Sequence, residues 1–233
     1  MDSKDTTLGR LSMIWKAGDF FTFFGQFNKR SSYLVKKGTI LFNEGEPLER
    51  VFFIEQGFVK LYRLSKDGRE TTIYLYGPGQ ILGIRALTSE DVCARHYAEA
   101  ITDLKVMSIK RTEYFEILSE HPEYLVDLLH VFIDRLNYTE RKLEGFIITD
   151  VVSRIAYFLY DLAVRFCDTE KKQIALPLQL THQRIAEFVG STRETVTISM
   201  HKLEKDKILE DSRGKILILD LSGLKKLVQS SST

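Results

Sequence analysis

The side chains best suited to chemistry lie in residues 181–205, THQRIAEFVGSTRETVTISMHKLEK. Arg193 and Glu194 stand side by side there. An arginine at the N-terminal end of a helix in the DNA major groove donates two hydrogen bonds to guanine O6 and N7. A glutamate beside it accepts from cytosine N4. Thr181, Gln183, Ser191, Thr192, Thr195, Thr197 and His201 are the polar neighbours that would meet bases and phosphates around that pair.

Two helices must hold these groups. Apolar residues at Ile185, Val189, Val196, Met200 and Leu203 mark two short amphipathic helices. Gly190 separates them, free to take positive φ and turn the chain tightly. Ala186 is small where the helices would cross. Ser191 is expected to cap the second helix, with Glu194 three residues later completing a capping box. The pattern predicts a helix-turn-helix. A helical hairpin buried in some core, with Glu194 only capping its own helix, is the competing reading.

The rest of the chain bounds the answer. With 233 residues there is room for one large domain or two modest ones, and 44% hydrophobic residues is ordinary for a folded protein. No apolar run is long enough to span a bilayer. The start, MDSKDTTLGRLSMIWK, lacks the pattern of a secretory signal, and Cys93 and Cys167 make no disulfide framework. A cytoplasmic protein with no membrane partner is expected. Net charge is +1, so a DNA-binding face must come from local placement of basic groups. No P-loop, H-E-x-x-H, C-x-x-C or nucleophile elbow is present, and His96 has no second metal ligand nearby. The expectation is no enzyme, no cofactor and no metal.

Taken in order, the chain opens with an aromatic cluster, Phe20, Phe21, Phe23, Phe24 and Phe27, read as a short helix packing on the next domain or as a partner surface. Residues 33–109 are short alternating runs separated by glycines, with Lys66-Asp67-Gly68 a hairpin turn, which predicts an antiparallel barrel or sandwich. From Arg111 the chain becomes helical, and Pro122 suits a first turn. Leu125, Leu129, Phe132, Leu136, Thr139, Leu143 and Phe146 then recur in steps of four and three, a heptad seam that should pair with a second copy. Residues 147–149 are the expected hinge, and Asp150 should cap the next helix. LPLQL at 176–180 reads as a short strand. Residues 208–209 and 215–219 read as strands around the turn Ser212-Arg213-Gly214, a wing whose Arg213 and Lys215 would meet phosphates. Asp220 or Ser222 should start a last helix, before a Ser-rich tail.

VGSTRETV resembles the recognition helix of the CRP/FNR family, the cyclic-AMP receptor protein and its relatives, where R-E-T-V follows a G-x-[ST] turn. The family pattern continues with an Arg two residues beyond the Val, and this chain has Ile198 there. Residues 33–109 are similar to the family's β-roll, with K-x-G-x-x-[LIV]-F-x-x-G-[ED], F-[IV]-x-x-G-x-[VI]-[KR], D-G-R-E and P-G-x-x-x-G in order. The resemblance covers roughly residue 33 to the C-terminus. It implies an α+β chain: an N-terminal antiparallel, jelly-roll-like β-roll effector domain at 1–148, including a dimerisation helix from about 122 to 148, and a winged helix-turn-helix domain at 149–233. The implied partners are a palindromic double-stranded DNA operator, a small-molecule effector, RNA polymerase and a second copy of the chain.

In cyclic-nucleotide-binding relatives a Glu takes the ribose 2′-hydroxyl and an Arg-Ser pair holds the cyclic phosphate. Here the Glu position is Ile84, and the pair falls on Ala94 and Arg95, or with a one-residue bulge on Arg95 and His96. A buried ribose hydroxyl left unpaired costs about 1–3 kcal/mol, so the site is read as not built for cyclic AMP. The resemblance places Tyr76, Gly83, Ile84, Arg85, Arg95, His96, Tyr97 and Thr139 at the effector, a set that suits a small organic or aromatic anion. An iron–sulfur cluster needs about four thiolates, more than two cysteines supply. A haem or redox sensor using Cys93 with His96 stays open as an alternative, as does a β-roll ligand-binding protein with weak DNA binding.

Overall fold

A computed structural model describes residues 32–87, 92–148 and 150–229, with the side chains of 146–148 and 229 outside that description. The Phe20–Phe27 cluster, the side chain of Phe146, Thr149 of the expected hinge and the Ser-rich tail therefore lie outside the described residues, while the backbone of the other two hinge residues, 147 and 148, is helical. The chain divides into two compact units, Met1–Phe132 and Ile133–Thr233.

The first unit is built from β1 (Tyr33–Val35), β2 (Ile40–Phe42), β3 (Arg50–Gln56), β4 (Val59–Leu64), β5 (Glu70–Tyr76), β6 (Ile81–Leu82), β7 (Tyr97–Ala100) and β8 (Leu104–Lys110). They form two antiparallel four-stranded sheets, ordered β1-β8-β3-β6 and β2-β7-β4-β5. Period-two alternation does what the sequence predicts. Val59, Leu61, Ala98 and Ala100 are buried on one face, while Lys60, Tyr97 and Glu99 on the other stay half-exposed. On that outer face Lys60 bridges Glu70 at 2.7 Å and Glu99 at 3.1 Å. The β4–β5 hairpin turns at Lys66-Asp67-Gly68, where Gly68 takes φ +78°. Gly57, between β3 and β4, has no substitute: its φ is +85°, and a Cβ there would sit 2.2 Å from the Asp103 carbonyl oxygen.

Two helices follow, α1 (Arg111–Glu120) and α2 (Tyr124–Ile148). Pro122 stands two residues before α2, not in its first turn, and its carbonyl accepts the Leu125 N–H at 3.0 Å. Along α2, Leu128 and Tyr138 are buried, whereas Leu125, Leu129, Phe132, Leu136 and Leu143 are exposed.

The second unit contains the rest of α2 and α3 (Val151–Phe166), capped by Asp150, which accepts the Ser153 N–H at 3.0 Å. Arg141 Nε donates to the Tyr157 hydroxyl at 3.3 Å, and the Arg165 guanidinium lies 5.4 Å from the Tyr138 ring, so this half of α2 packs on α3. Then come β9 (Ile174–Ala175), α4 (His182–Val189), α5 (Arg193–Lys205), β10 (Leu209–Ser212), β11 (Lys215–Ile218) and α6 (Leu221–Gln229), the strands ordered β10-β11-β9. LPLQL is not the expected strand; the strand is Ile174–Ala175, just upstream. Pro177 has no N–H to donate to a ladder. The segment still runs beside the wing through Leu176 N–H to Ile216 O (3.0 Å) and Leu180 N–H to Gly214 O (2.8 Å). The wing turn has Arg213 at φ +55° and Gly214 at φ +83°, the backbone of a tight two-residue hairpin. Asp220 settles the start of α6 by accepting the Gly223 N–H at 2.9 Å.

Candidate nucleic-acid interface

Thr181 caps α4 by accepting the Arg184 N–H at 3.2 Å. Ile185, Ala186, Phe188 and Val189 bury its inner face. Gly190 takes the left-handed conformation, φ 65° and ψ 53°, which ends α4 and turns the chain. Arg154 on α3 donates to the Val189 carbonyl at 3.0 Å and fixes that end of the helix.

The cap of α5 is one residue later than expected. Thr192, not Ser191, accepts the Thr195 N–H at 3.2 Å, and the Ser191 N–H instead donates to Ala186 O at 3.1 Å. Thr192 is extended, so Arg193 is the first helical residue and Glu194 the second. Glu194 is thus out of register for the capping box; its carboxylate is exposed in the first turn, where the helix dipole favours negative charge. Val196, Ser199, Met200 and Leu203 face inward. Arg193, Glu194, Ile198, His201, Lys202 and Lys205 face outward, with Gln183 on α4 and Arg213 and Lys215 on the wing also exposed. A chain of net charge +1 therefore presents basic groups locally on and around α5.

Not every expected reader is free. Thr197 Oγ1 donates to Arg193 O at 2.9 Å and lies 2.8 Å from His182 Nδ1. His182 Nε2 is 3.0 Å from Asp211 Oδ2, and Asp211 Oδ1 accepts the Gly214 N–H at 2.7 Å. His182 thus ties α5 to the wing through a network that sequence spacing does not show. Its partners stand 15 and 29 residues away. His201 is exposed and pairs with Glu204 at 3.1 Å.

On the effector side, Tyr76, Ile84 and Ala94 are buried in the first unit. Gly83 takes φ +85° where a Cβ would meet Arg50 O at 2.8 Å. Ala94 is fixed by backbone bonds with Gly45 and Glu46, both 2.8 Å. Arg85 and His96 are half-buried, and Arg95 is exposed. Tyr97 sits on the outer face of its sheet, opposite the buried Ala98, stacked on Tyr62 at 5.2 Å. Tyr76 and Ile84 are thus buried, Arg95 is exposed, and Tyr97 lies on the sheet face opposite Ala98. Thr139 lies in the second unit, exposed, its hydroxyl donating back to Arg135 O at 2.9 Å. One turn further, Lys142 is half-buried near Asp161, and burial pushes its amine down to about 8 against the opposing pull of that carboxylate. Cys93 is exposed. Among the described residues, no cluster of three His, Cys, Asp or Glu is set to hold a metal, and no helix is long and apolar enough to cross a membrane.

Residues 34–121 match the cyclic nucleotide-binding domain family, and residues 153–227 match the Crp-like helix-turn-helix domain. The global nitrogen regulator of Synechocystis is 32% identical over 179 residues, 76% of this chain and 80% of its own length. The CRP-like cAMP-activated global transcriptional regulator of Mycobacterium tuberculosis is 36% identical over 161 residues, 69% of this chain and 71% of its own. Among solved structures, FixK2 from Bradyrhizobium japonicum superposes with a TM-score of 0.74 at 25% identity, covering 85% of this chain and 96% of that one. Both curated relatives are, by name, regulators. The chain belongs to the CRP/FNR family of DNA-binding transcription regulators.

Proposed function

We propose that this regulator works as a homodimer, controlled by a small molecule other than cyclic AMP and acting on a palindromic operator. The observation that carries the reading is the outer face of α5: Arg193 and Glu194 stand exposed on the first turn of a helix whose cap is already satisfied by Thr192. Their hydrogen-bonding groups are available to a base pair, Arg193 to guanine and Glu194 to cytosine. Thr181, Gln183, Ser191, Thr192, Thr195, His201 and Arg213 surround them as backbone-positioning groups. Two recognition helices related by a two-fold axis would enter successive major grooves about 34 Å apart.

The domains we assign are 1–148 for effector binding, including the dimerisation helix, and 149–233 for DNA. The exposed leucines of α2 support pairing with a second copy. The buried, apolar Ile84 and Ala94 support an effector other than cyclic AMP, since neither can meet a ribose hydroxyl or a phosphate. With Arg95 exposed, the preference for an organic anion rests on Arg85 and His96. The effector would shift a two-state equilibrium at the hinge and reorient the recognition helices. The protein would act in the cytoplasm, with RNA polymerase as a downstream partner.

Arg193→Ala tests the reading. It is expected to weaken operator binding by about 1–3 kcal/mol and to relax one base preference per half-site. Unchanged affinity and selectivity in a fluorescence-anisotropy titration would remove Arg193 from the interface.

A further inference from the structure

Ile198 is 72% exposed. A lone exposed isoleucine is unremarkable on most surfaces. This one lies on the face that carries the polar readers. Glu194 is four residues before it, so the two side chains sit one turn apart on the same side of α5. His201, Lys202 and Lys205 continue that ridge toward the C-terminus. The adjacent Thr197 is no rival, because its hydroxyl bonds to Arg193 O and His182. Beyond the Arg193–Glu194 pair, the next group presented to the groove is a branched hydrocarbon that neither donates nor accepts.

The major-groove edge of a base pair offers one apolar feature, the C5 methyl of thymine. We infer that Ile198 is a specificity-determining residue for thymine, packing on that methyl one helical turn along from the base pairs read by Arg193 and Glu194. A guanine at the same place is disfavoured, since O6 and N7 would face hydrocarbon without a donor. The inference rests on the reading of α5 as the recognition helix.

The test uses the full chain. Preferred duplexes are selected from a random-sequence library, and each thymine of the winning half-site is then replaced singly by uracil, which deletes only the methyl. One thymine per half-site is expected to respond, its replacement weakening binding about 4-fold, the transfer of a single methyl group. In Ile198→Ala, an exposed substitution that leaves the core untouched, the same replacement is expected to change nothing. The inference is overturned if no uracil replacement weakens the parent, or if Ile198→Ala loses as much as the parent does. A selection that enriches no sequence, both alone and with a panel of small organic anions present, is a separate outcome and overturns the reading of α5 as the recognition helix.

Discussion

Leu136 offers a direct test of whether this chain pairs with a second copy. It is 57% exposed on α2, in line with Leu125, Leu129, Phe132 and Leu143, which are 50%, 56%, 36% and 59% exposed. Taking a leucine side chain fully out of water contributes about 1.5–3 kcal/mol. About half of Leu136 is still available for burial, so pairing gains roughly 1 kcal/mol per protomer at this position. A two-fold seam uses it twice. The five side chains, each counted twice, offer on the order of 10 kcal/mol, comparable with the cost of association. Leu136→Ala is therefore expected to cost about 2 kcal/mol of dimerisation, near 30-fold in Kd. Sedimentation velocity over a dilution series reads this, with urea unfolding as a control. Since the side chain is exposed in the single chain, the protomer's own stability should move by no more than ~0.5 kcal/mol. A parent that stays monomeric at high concentration, or a variant whose Kd is unmoved, refutes the seam.

Two further outcomes test local physics. Lys142 has its amine pushed down to about 8 by burial, from an ordinary value of 10.5. The folded state then binds fewer protons than the unfolded chain between those values, so stability rises with pH across that window, and the charged amine is a cost below it. Lys142→Met is expected to stabilise the protein by roughly 1–3 kcal/mol at pH 7, with the gain shrinking toward pH 10; urea midpoints at pH 7 and 9.5 check the sign. Thr192→Ala should cost about 1 kcal/mol in urea unfolding and Ser191→Ala only a few tenths, because Thr192 holds the capping bond. The reverse order would restore the cap to Ser191.

Much of the architecture was legible because it is periodic. The spacing of Ile185, Val189, Val196, Met200 and Leu203 marked both helices around Gly190, and four of the five are less than 3% exposed with Val189 at 3%. Arg213 and Gly214 marked the wing turn. Choices between near-equal neighbours were not legible. Ser191 and Thr192 are both good caps, and the backbone geometry of the turn, with the Ser191 N–H held by Ala186 O, decides between them. LPLQL looks like a strand, but Pro177 moves the ladder upstream to Ile174–Ala175. Matching by sequence could not say that Arg95 is exposed or that Tyr97 stacks on Tyr62.

By itself the sequence determined most of the elements, the outward residues of α5 and the apolar stripe of α2. Those follow from periodicity, which depends only on residues a few positions apart. Tertiary structure alone decided which polar groups are already spent. Thr197 and His182 are committed to each other, and His182 also faces Asp211, 29 residues along the chain. A hydrogen bond depends on where two chain segments meet in space, and no local pattern records that.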